Sequence, residues 1–208
     1  MRRCVIVGGA EISRPGQIRA LLREDDFFVY CDCGLRHIAA LGRQPDLIVG
    51  DFDSYENPHA SAETIVLPRE KDDTDTCFAA KEGLRRGFRD FLLLGVVGAR
   101  LDHTLGNLGT ALMLDGAGAH ALIVDDFSEM EIVSAAAEVT DEFPYFSLIN
   151  LDGSAGKVTV TGAKYPLRDA PLPCDTSLGV SNEPLPGGTA EITVGEGRLL
   201  LVRVRKAR

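Results

Sequence analysis

The stretch Asp46-Leu47-Ile48-Val49-Gly50-Asp51-Phe52-Asp53-Ser54, residues 46–54, decides the fold class. It begins with a short apolar run of the kind that forms a strand buried on both faces of a sheet. Glycine, aspartate and serine follow at once, and these residue types commonly end a strand in a turn. Because similar runs alternate with helical segments through the first half of the chain, we predict a mostly parallel sheet covered by helices.

The pattern changes near residue 126. Before it, further apolar runs alternate with helical stretches; the runs cover residues 4–7, 27–30, 64–67, 91–97 and 121–124, and the helical stretches cover residues 15–23, 35–41, 73–86 and 105–114. After it, short β-type runs are separated by glycine and proline turns, which is typical of an antiparallel sandwich or barrel. We therefore predict an α/β domain over residues 1–127 and an all-β domain over residues 128–208.

Composition limits the classes of function. The chain has 208 residues and a net charge of 22 − 31 = −9, so it lacks the charge balance of a protein that binds nucleic acid through a broad basic surface. Its five cysteines are irregularly spaced, and Cys31 and Cys33 are too close together for a usual zinc motif. We expect free thiols in the cytoplasm. The longest apolar stretch, residues 91–99, is too short to span a membrane.

Polar side chains cluster where the predicted strands end. In a parallel α/β sheet, ligands bind outside the carboxyl ends of the strands, so these side chains are expected at one edge. The candidates, in chain order, are Asp32; Asp51, Asp53 and Ser54; Lys71, Asp72, Thr74 and Asp75; and Arg100, Asp102 and His103. Four separate strand exits that deliver carboxylates to one edge carry more weight than any single motif.

Asp51 and Asp53 are the first candidates for a metal site. Two residues apart in an extended segment, their carboxylates would lie on one side. Mg²⁺ prefers oxygen ligands, usually a few carboxylates completed by water and phosphate. The spacing alone fits a strand-ending turn equally well, but further acids at parallel exits, Asp75 and Asp102, favour a metal site.

The remaining candidates have phosphate chemistry and structural alternatives. Lys71 can meet a phosphate as a point charge, while one of Asp72, Asp73 and Thr74 is expected to cap the following helix. Arg100, after the glycines at 95 and 98, suits charge stabilisation on a phosphoryl group. His103 is either a base, a hydrogen-bond donor or a structural residue. The chain contains no P-loop motif.

Six motifs in order resemble those of the thiamine pyrophosphokinase family. They are Asp32, residues 45–54, residues 71–75, residues 98–103, residues 162–167 (Gly-Ala-Lys-Tyr-Pro-Leu) and residues 179–183 (Gly-Val-Ser-Asn-Glu). The last motif, from the residues alone, would be a plain hairpin turn. Any one of them is weak, but six in the same order over both predicted domains make the resemblance specific.

The resemblance implies an ATP-binding catalytic domain followed by a thiamine-binding β-sandwich. It implies transfer of pyrophosphate from ATP to the hydroxyethyl group of thiamine, which gives thiamine diphosphate and AMP. The cofactor would be Mg²⁺, and the enzyme would be a homodimer with thiamine held between the subunits.

The resemblance also implies a role for each site residue. Asp51, Asp53 and Asp75 would be metal ligands, with Asp102 beside them and Arg100 in the catalytic set. ATP would meet the residues Asp32, Ser54, Lys71, Asp72, Thr74 and His103. Ser181 and Asn182 would contact thiamine. Either Asp75 or Asp102 would accept the proton of the substrate alcohol. The competing hypotheses are a metal-dependent phosphohydrolase and a non-catalytic nucleotide- or thiamine-sensing module.

Overall fold

The structure, a computed structural model, describes residues 2–52, 62–70 and 72–205. The chain divides into two compact units at the bond between Asp126 and Phe127. The first unit is an α/β unit and the second is all β. This arrangement confirms the predicted fold class.

The first unit is built on a parallel sheet. Its described strands are β1 (Cys4–Val7), β2 (Phe27–Cys31), β3 (Leu47–Gly50), β4 (Glu63–Val66), β5 (Asp90–Leu94) and β6 (His120–Val124). They follow the order β4-β3-β2-β1-β5-β6, and every neighbouring pair is parallel. All residues of β1 and β3 are buried, as expected of strands covered on both faces.

Helices connect these strands. They are α1 (Pro15–Arg19), a 3-10 helix (Asp32–His37) that leads into α2 (Ile38–Leu41), α3 (Asp75–Arg85) and α4 (Leu101–Gly116). The first helix is shorter than predicted because the chain tightens after it into turns closed by Leu21 and Leu22. The helix predicted over 35–41 instead starts three residues earlier as a 3-10 turn. None of the helices in the described ranges is long and apolar enough to cross a membrane.

The second unit is an antiparallel sandwich. Its described strands are β7 (Ser128–Val133), β8 (Ala136–Thr140), β9 (Tyr145–Ile149), β10 (Ser154–Thr161), β11 (Leu167–Pro173), β12 (Thr189–Glu196) and β13 (Leu199–Val204). Strand β13 pairs with β7 and β9, while the other four strands pair in the order β11-β10-β12-β8. Side chains from both groups, among them Phe146, Val158 and Leu201, share one hydrophobic core. Of the two architectures left open by the sequence, the sandwich is correct.

Candidate functional site

The sheet order of the first unit creates a crevice at the carboxyl ends of β1 and β5. Strands β2, β3 and β4 lie in this order on one side of β1, and β5 and β6 lie on its other side. Ligands of open α/β sheets bind at such a reversal of strand order. Among the predicted site residues in the described ranges, Asp32 and Asp51 directly follow β2 and β3, and Arg100 lies between β5 and α4.

Two glycine-bearing loops meet at the crevice. Gly8 donates its N–H to the Leu94 carbonyl and Ala10 donates to the Gly95 carbonyl, both at 2.8 Å. A Cβ added at Gly8 would lie 2.6 Å from the Gly95 carbonyl oxygen, so the two backbones approach this closely only because both positions are glycine. Sequence reasoning identified Gly95 as a phosphate-approach residue but missed Gly8, although paired glycines directly after the first strand were a usable signal.

Three carboxylates converge beside these loops. Asp32 follows β2, Asp51 follows β3, and Asp75 is the first residue of α3. One oxygen from each lies within 4.8 Å of the others, which is a spacing that a single metal ion could bridge. Asp32 is buried and the other two are half-buried. Two of the predicted metal ligands are thus brought together, and Asp32, which was assigned to ATP, joins them.

Backbone strain accompanies this cluster. Asp32 and Phe52 have φ values of +37° and +55°, a left-handed region that non-glycine residues rarely adopt. The extended conformation predicted for residues 51–53 is therefore wrong at Phe52. The physical reason is that Phe52 packs against the hydrophobic core of the unit, which turns the chain directly after Asp51. Asp53, the third predicted ligand, lies outside the described residues.

The segment after β5 is exposed and carries an ion pair. Arg100 donates to both carboxylate oxygens of Asp102, at 2.9 and 2.6 Å. This guanidinium holds the pKa of Asp102 well below its usual range. Among the described residues, the cluster of converging acids does not include Asp102, which was expected beside the metal. His103, the other candidate here, is exposed on the first turn of α4.

Helix α4 holds this segment through a residue that sequence reasoning missed. Asn107 is buried, and its side-chain amide donates to the Val96 carbonyl at 2.7 Å. The bond anchors the turn that precedes Arg100. A signal was present in the sequence, because Asn107 shares the buried face of the helix with Ala111 and Leu114, at four- and seven-residue spacing.

The acidic segment before α3 combines capping with charge pairing. Thr74 is the N-cap, and its side-chain oxygen accepts the N–H of Cys77 at 3.2 Å. Asp73 pairs with Lys81 through both oxygens at 2.7 Å, which lowers the pKa of Asp73. Asp72 is exposed. Thr74 is thus the cap among the three residues considered, while Lys71 and Ser54 lie outside the described residues.

Two further side chains fix the loop after β1, and no sequence pattern pointed to either of them. His37 places its Nε2 atom 2.8 Å from the Ala10 carbonyl oxygen, and burial lowers the pKa of its imidazole. Because a carbonyl oxygen only accepts, this nitrogen carries the proton. Asp126 accepts the backbone N–H groups of Ser13 and Arg14, each at 2.8 Å. The loop is therefore preorganised at several points.

The two residues predicted to contact thiamine lie in one turn of the second unit. Ser181 is exposed with a φ of +60°, and its N–H donates to the Ser147 hydroxyl oxygen at 3.0 Å. Asn182 is only 7% exposed. Its amide makes hydrogen bonds to both backbone groups of Tyr165.

Two family models match the chain, one in each unit. The model described as the thiamin pyrophosphokinase catalytic domain matches residues 18–122. The model described as the thiamin pyrophosphokinase vitamin B1 binding domain matches residues 133–199. Together they cover most of the sequence and confirm the family predicted from the motifs.

Whole-chain similarities agree with these matches. A protein of Bacillus subtilis (strain 168) named thiamine pyrophosphokinase is 25% identical, over 98% of this chain and 99% of that protein. The crystal structure of a Bacillus subtilis thiamine pyrophosphokinase has a TM-score of 0.87 at 21% identity, over 99% of this chain and 100% of that one. A Geobacillus thermodenitrificans thiamin pyrophosphokinase has a TM-score of 0.83 at 26% identity, over 99% and 98%. The Candida albicans enzyme has the same fold at 12% identity, with a TM-score of 0.81 over 99% and 89%. From its matched domains, in their order and over nearly its whole length, the chain belongs to the thiamin pyrophosphokinase family.

Proposed function

We propose that this transferase moves pyrophosphate from ATP to the hydroxyethyl oxygen of thiamine and releases thiamine diphosphate and AMP. The acceptor alcohol attacks the β-phosphorus, and the bond from that phosphorus to the AMP oxygen breaks. Such a reaction depends on positioning and charge neutralisation more than on covalent catalysis. The observation that carries the proposal is the convergence of Asp32, Asp51 and Asp75 beside the glycine loops of an α/β sheet.

The donor set of this cluster fits Mg²⁺. Three carboxylates that approach within 4.8 Å repel one another unless a cation lies between them, and hard oxygen donors are what Mg²⁺ selects. We assign Asp32, Asp51 and Asp75 as ligands, and Asp53 as a further ligand on the basis of the resemblance. When bound, the ion would neutralise charge on the phosphate oxygens.

The ATP-binding residues are proposed around that centre. The phosphates are proposed to lie at the two loops that Gly8 and Gly95 hold together, and Arg100 supplies an exposed guanidinium. Thr74 accepts a bond in its capping role, so its hydroxyl proton is available to a phosphate oxygen. The further proposed ATP contacts are Ser54, Lys71, Asp72 and His103.

The choice of base is linked to Arg100. While the guanidinium holds Asp102, that carboxylate is a weak proton acceptor because its pKa is depressed. If Arg100 turns to the phosphate oxygens, Asp102 loses its partner and gains basicity. Asp102 is therefore a candidate base only when nucleotide is bound. Asp75 is the alternative, and its role as a metal ligand would weaken it as a base.

Thiamine binding and assembly rest on the family resemblance. We propose that the second unit binds thiamine through the turn that carries Ser181 and Asn182. We further propose a homodimer in which thiamine lies between the catalytic unit of one subunit and the sandwich of the other. All five cysteines are free thiols, which supports a reducing, cytoplasmic location.

Product analysis tests the reaction. The protein is incubated with ATP and Mg²⁺, with and without thiamine, and AMP and inorganic phosphate are quantified. We expect AMP release that requires thiamine. Phosphate release that ignores thiamine would indicate a phosphohydrolase, and thiamine binding without turnover would indicate a sensing module. Neither alternative is favoured by the family to which the chain belongs.

A variant tests the metal assignment. Asp75→Asn keeps the shape of the side chain but removes one charge from the cluster, so turnover at saturating Mg²⁺ should fall by at least about 100-fold with the fold intact. Asp73→Asn is the matched control, because Asp73 lies two residues away and pairs with Lys81 on the protein surface. Near-normal turnover in Asp75→Asn would contradict the assignment.

A further inference from the structure

Asn182 directs its side chain into the protein. Its Oδ1 atom accepts the backbone N–H groups of Tyr165 at 3.0 Å and Glu183 at 2.9 Å, and its Nδ2 atom donates to the Tyr165 carbonyl at 2.8 Å. A primary amide has two acceptor positions and two donors, so these bonds use three of the four. One N–H remains, on a side chain that is 7% exposed. The amide is therefore better placed to hold the chain than to recognise a substrate.

The bonds of Asn182 fix one neighbouring residue in particular. Both backbone groups of Tyr165 form hydrogen bonds with the Asn182 amide. The preceding residue, Lys164, is held by the backbone instead, because its N–H donates to the Glu183 carbonyl at 2.9 Å. Asn182 itself is tied to β9 by two backbone bonds with Phe146. In the described part of the chain, the side chain that holds the Tyr165 backbone to this turn is thus the Asn182 amide.

Tyr165 presents an exposed ring that already contacts a cation. Its side chain belongs to a residue that is 56% exposed, and the Lys164 ammonium lies 5.5 Å from the ring centroid. The same ammonium pairs with Glu183 at 2.8 Å. Cation–π attraction of this kind is also how proteins recognise quaternary and heteroaromatic cations. Ser181, exposed on the same turn as Asn182, adds a hydroxyl group.

We propose that Asn182 is a positioning residue for thiamine, and that it acts by holding Tyr165 as the residue that selects a planar, positively charged ring. The inference rests on the proposed function, in which the acceptor alcohol is attached to a thiazolium ring. The permanent charge of that ring suits the face of Tyr165, and a neutral thiazole lacks this attraction. Asn182 contributes to affinity through Tyr165 rather than through its own contact.

A double-mutant cycle tests this dependence. Asn182→Ala and Tyr165→Leu should each raise the KM for thiamine by about tenfold, with the KM for ATP and the kcat at saturating thiamine unchanged. Because both changes remove the same interaction, the double variant should show no larger an increase than the stronger single variant. An increase of about a hundredfold, the product of the two effects, would mean that Asn182 contacts thiamine independently and would overturn the proposal.

The matched control is Asn150, a second buried amide in the same unit. Its Nδ2 atom donates to the carbonyls of Gly153 and Leu172 at 2.8 and 2.7 Å, and its Oδ1 atom accepts the N–H of Asp152 at 3.2 Å. Asn150→Ala therefore loses three hydrogen bonds to the backbone, as Asn182→Ala does, although Asn150 donates two of its three and Asn182 donates one. It should lower the thermal stability to a similar extent but leave the KM for thiamine unchanged. An equal rise in KM for both variants would show general loosening of the unit and contradict the proposal.

Competition experiments test the preference for charge. A hydroxyethylthiazole and its N-methylated thiazolium salt are compared as inhibitors with respect to thiamine. The wild type should bind the charged compound about tenfold more tightly, Tyr165→Phe should keep this preference, and Tyr165→Leu should lose it. Equal binding of both compounds to the wild type would overturn the charge selection.

Calorimetric titration with thiamine separates the two proposals. It repeats the comparison of variants in the absence of turnover. If thiamine binding depends on Asn182 and Tyr165 but no AMP is released, the proposed reaction is contradicted and this inference is supported. Turnover with independent effects of the two residues would do the reverse. A wild type that binds no thiamine would overturn both.

Discussion

Replacing Asp32 by asparagine should stabilise the metal-free protein and remove its response to Mg²⁺. Asp32, Asp51 and Asp75 bring carboxylate oxygens within 4.8 Å of one another. At an effective dielectric constant of about 20, two charges at that distance repel by about 3.5 kcal/mol, and Asp32 takes part in two such pairs. Because Asp51 and Asp75 are only half-buried, screening by water leaves about 1–2 kcal/mol as the expected gain. Asparagine also tolerates the left-handed backbone at this position.

The assay is thermal unfolding in EDTA and over a Mg²⁺ titration. In EDTA, Asp32→Asn should melt about 2–6 °C above the wild type. As Mg²⁺ is added, the wild type should gain stability by mass action, about 2.7 kcal/mol at 100 times the Kd, and the variant should gain much less. Turnover should fall in parallel with the lost Mg²⁺ response.

Asp26→Asn provides a control that should change the stability of the metal-free protein in the opposite direction. Asp26 is also a buried aspartate, but it accepts two hydrogen bonds from Arg3, at 3.0 and 2.8 Å. Breaking that buried pair should cost about 3–5 kcal/mol and leave the Mg²⁺ increment intact. The reasoning is refuted if Asp32→Asn destabilises the metal-free protein as Asp26→Asn does, or if it keeps the full Mg²⁺ increment.

Three further outcomes are expected. Two arginine partners lower the pKa of Glu82 from 4.5 to about 2. The ionised Glu82 therefore contributes about 3 kcal/mol to the free energy of unfolding above pH 4.5, and this contribution is lost as the pH falls towards 2. Glu82→Gln should flatten that part of a curve of unfolding free energy against pH. Asn107→Ala should raise the KM for ATP about tenfold, with the KM for thiamine unchanged, in steady-state kinetics, because it releases the turn before Arg100. Asp75→Asn and Tyr165→Ala subunits can be mixed and allowed to exchange. If each site is shared between subunits, half of the dimers are mixed and each of these has one intact site, so about a quarter of wild-type activity should return at low thiamine. No recovery after subunit exchange would exclude shared sites.

The sequence was sufficient to predict which polar residues follow the strands, because residue type and position carry that information. Short apolar runs such as residues 47–49 are typical of buried strands when helices alternate with them, and a parallel sheet brings their carboxyl ends to one edge. Asp51 and Asp75 were predicted to meet on that basis, and their oxygens do lie close together. The prediction needed no knowledge of individual contacts.

Other features depended on contacts that no local pattern specifies. The left-handed turn at Phe52 accompanies the packing of its partly buried side chain against the core, and a two-residue spacing cannot report that packing. Asp32 follows β2 as predicted, but its place among the converging acids depends on β2 and β3 being neighbours in the sheet. The bond from Asn182 to Tyr165 joins residues 17 positions apart. Each of these was set by tertiary structure.

The division of residues between the two units has an electrostatic reason on the proposed function. In that proposal ATP is an anion held by Mg²⁺ and Arg100, whereas the thiazolium ring is itself a cation and would be repelled by both. Converging carboxylates appear in the first unit, around Asp32, and the exposed ring of Tyr165 appears in the second. Under that proposal, carrying them on separate units allows each surface to suit one charge: the carboxylates take the cation that accompanies ATP, and the aromatic ring takes the cationic ring of the acceptor.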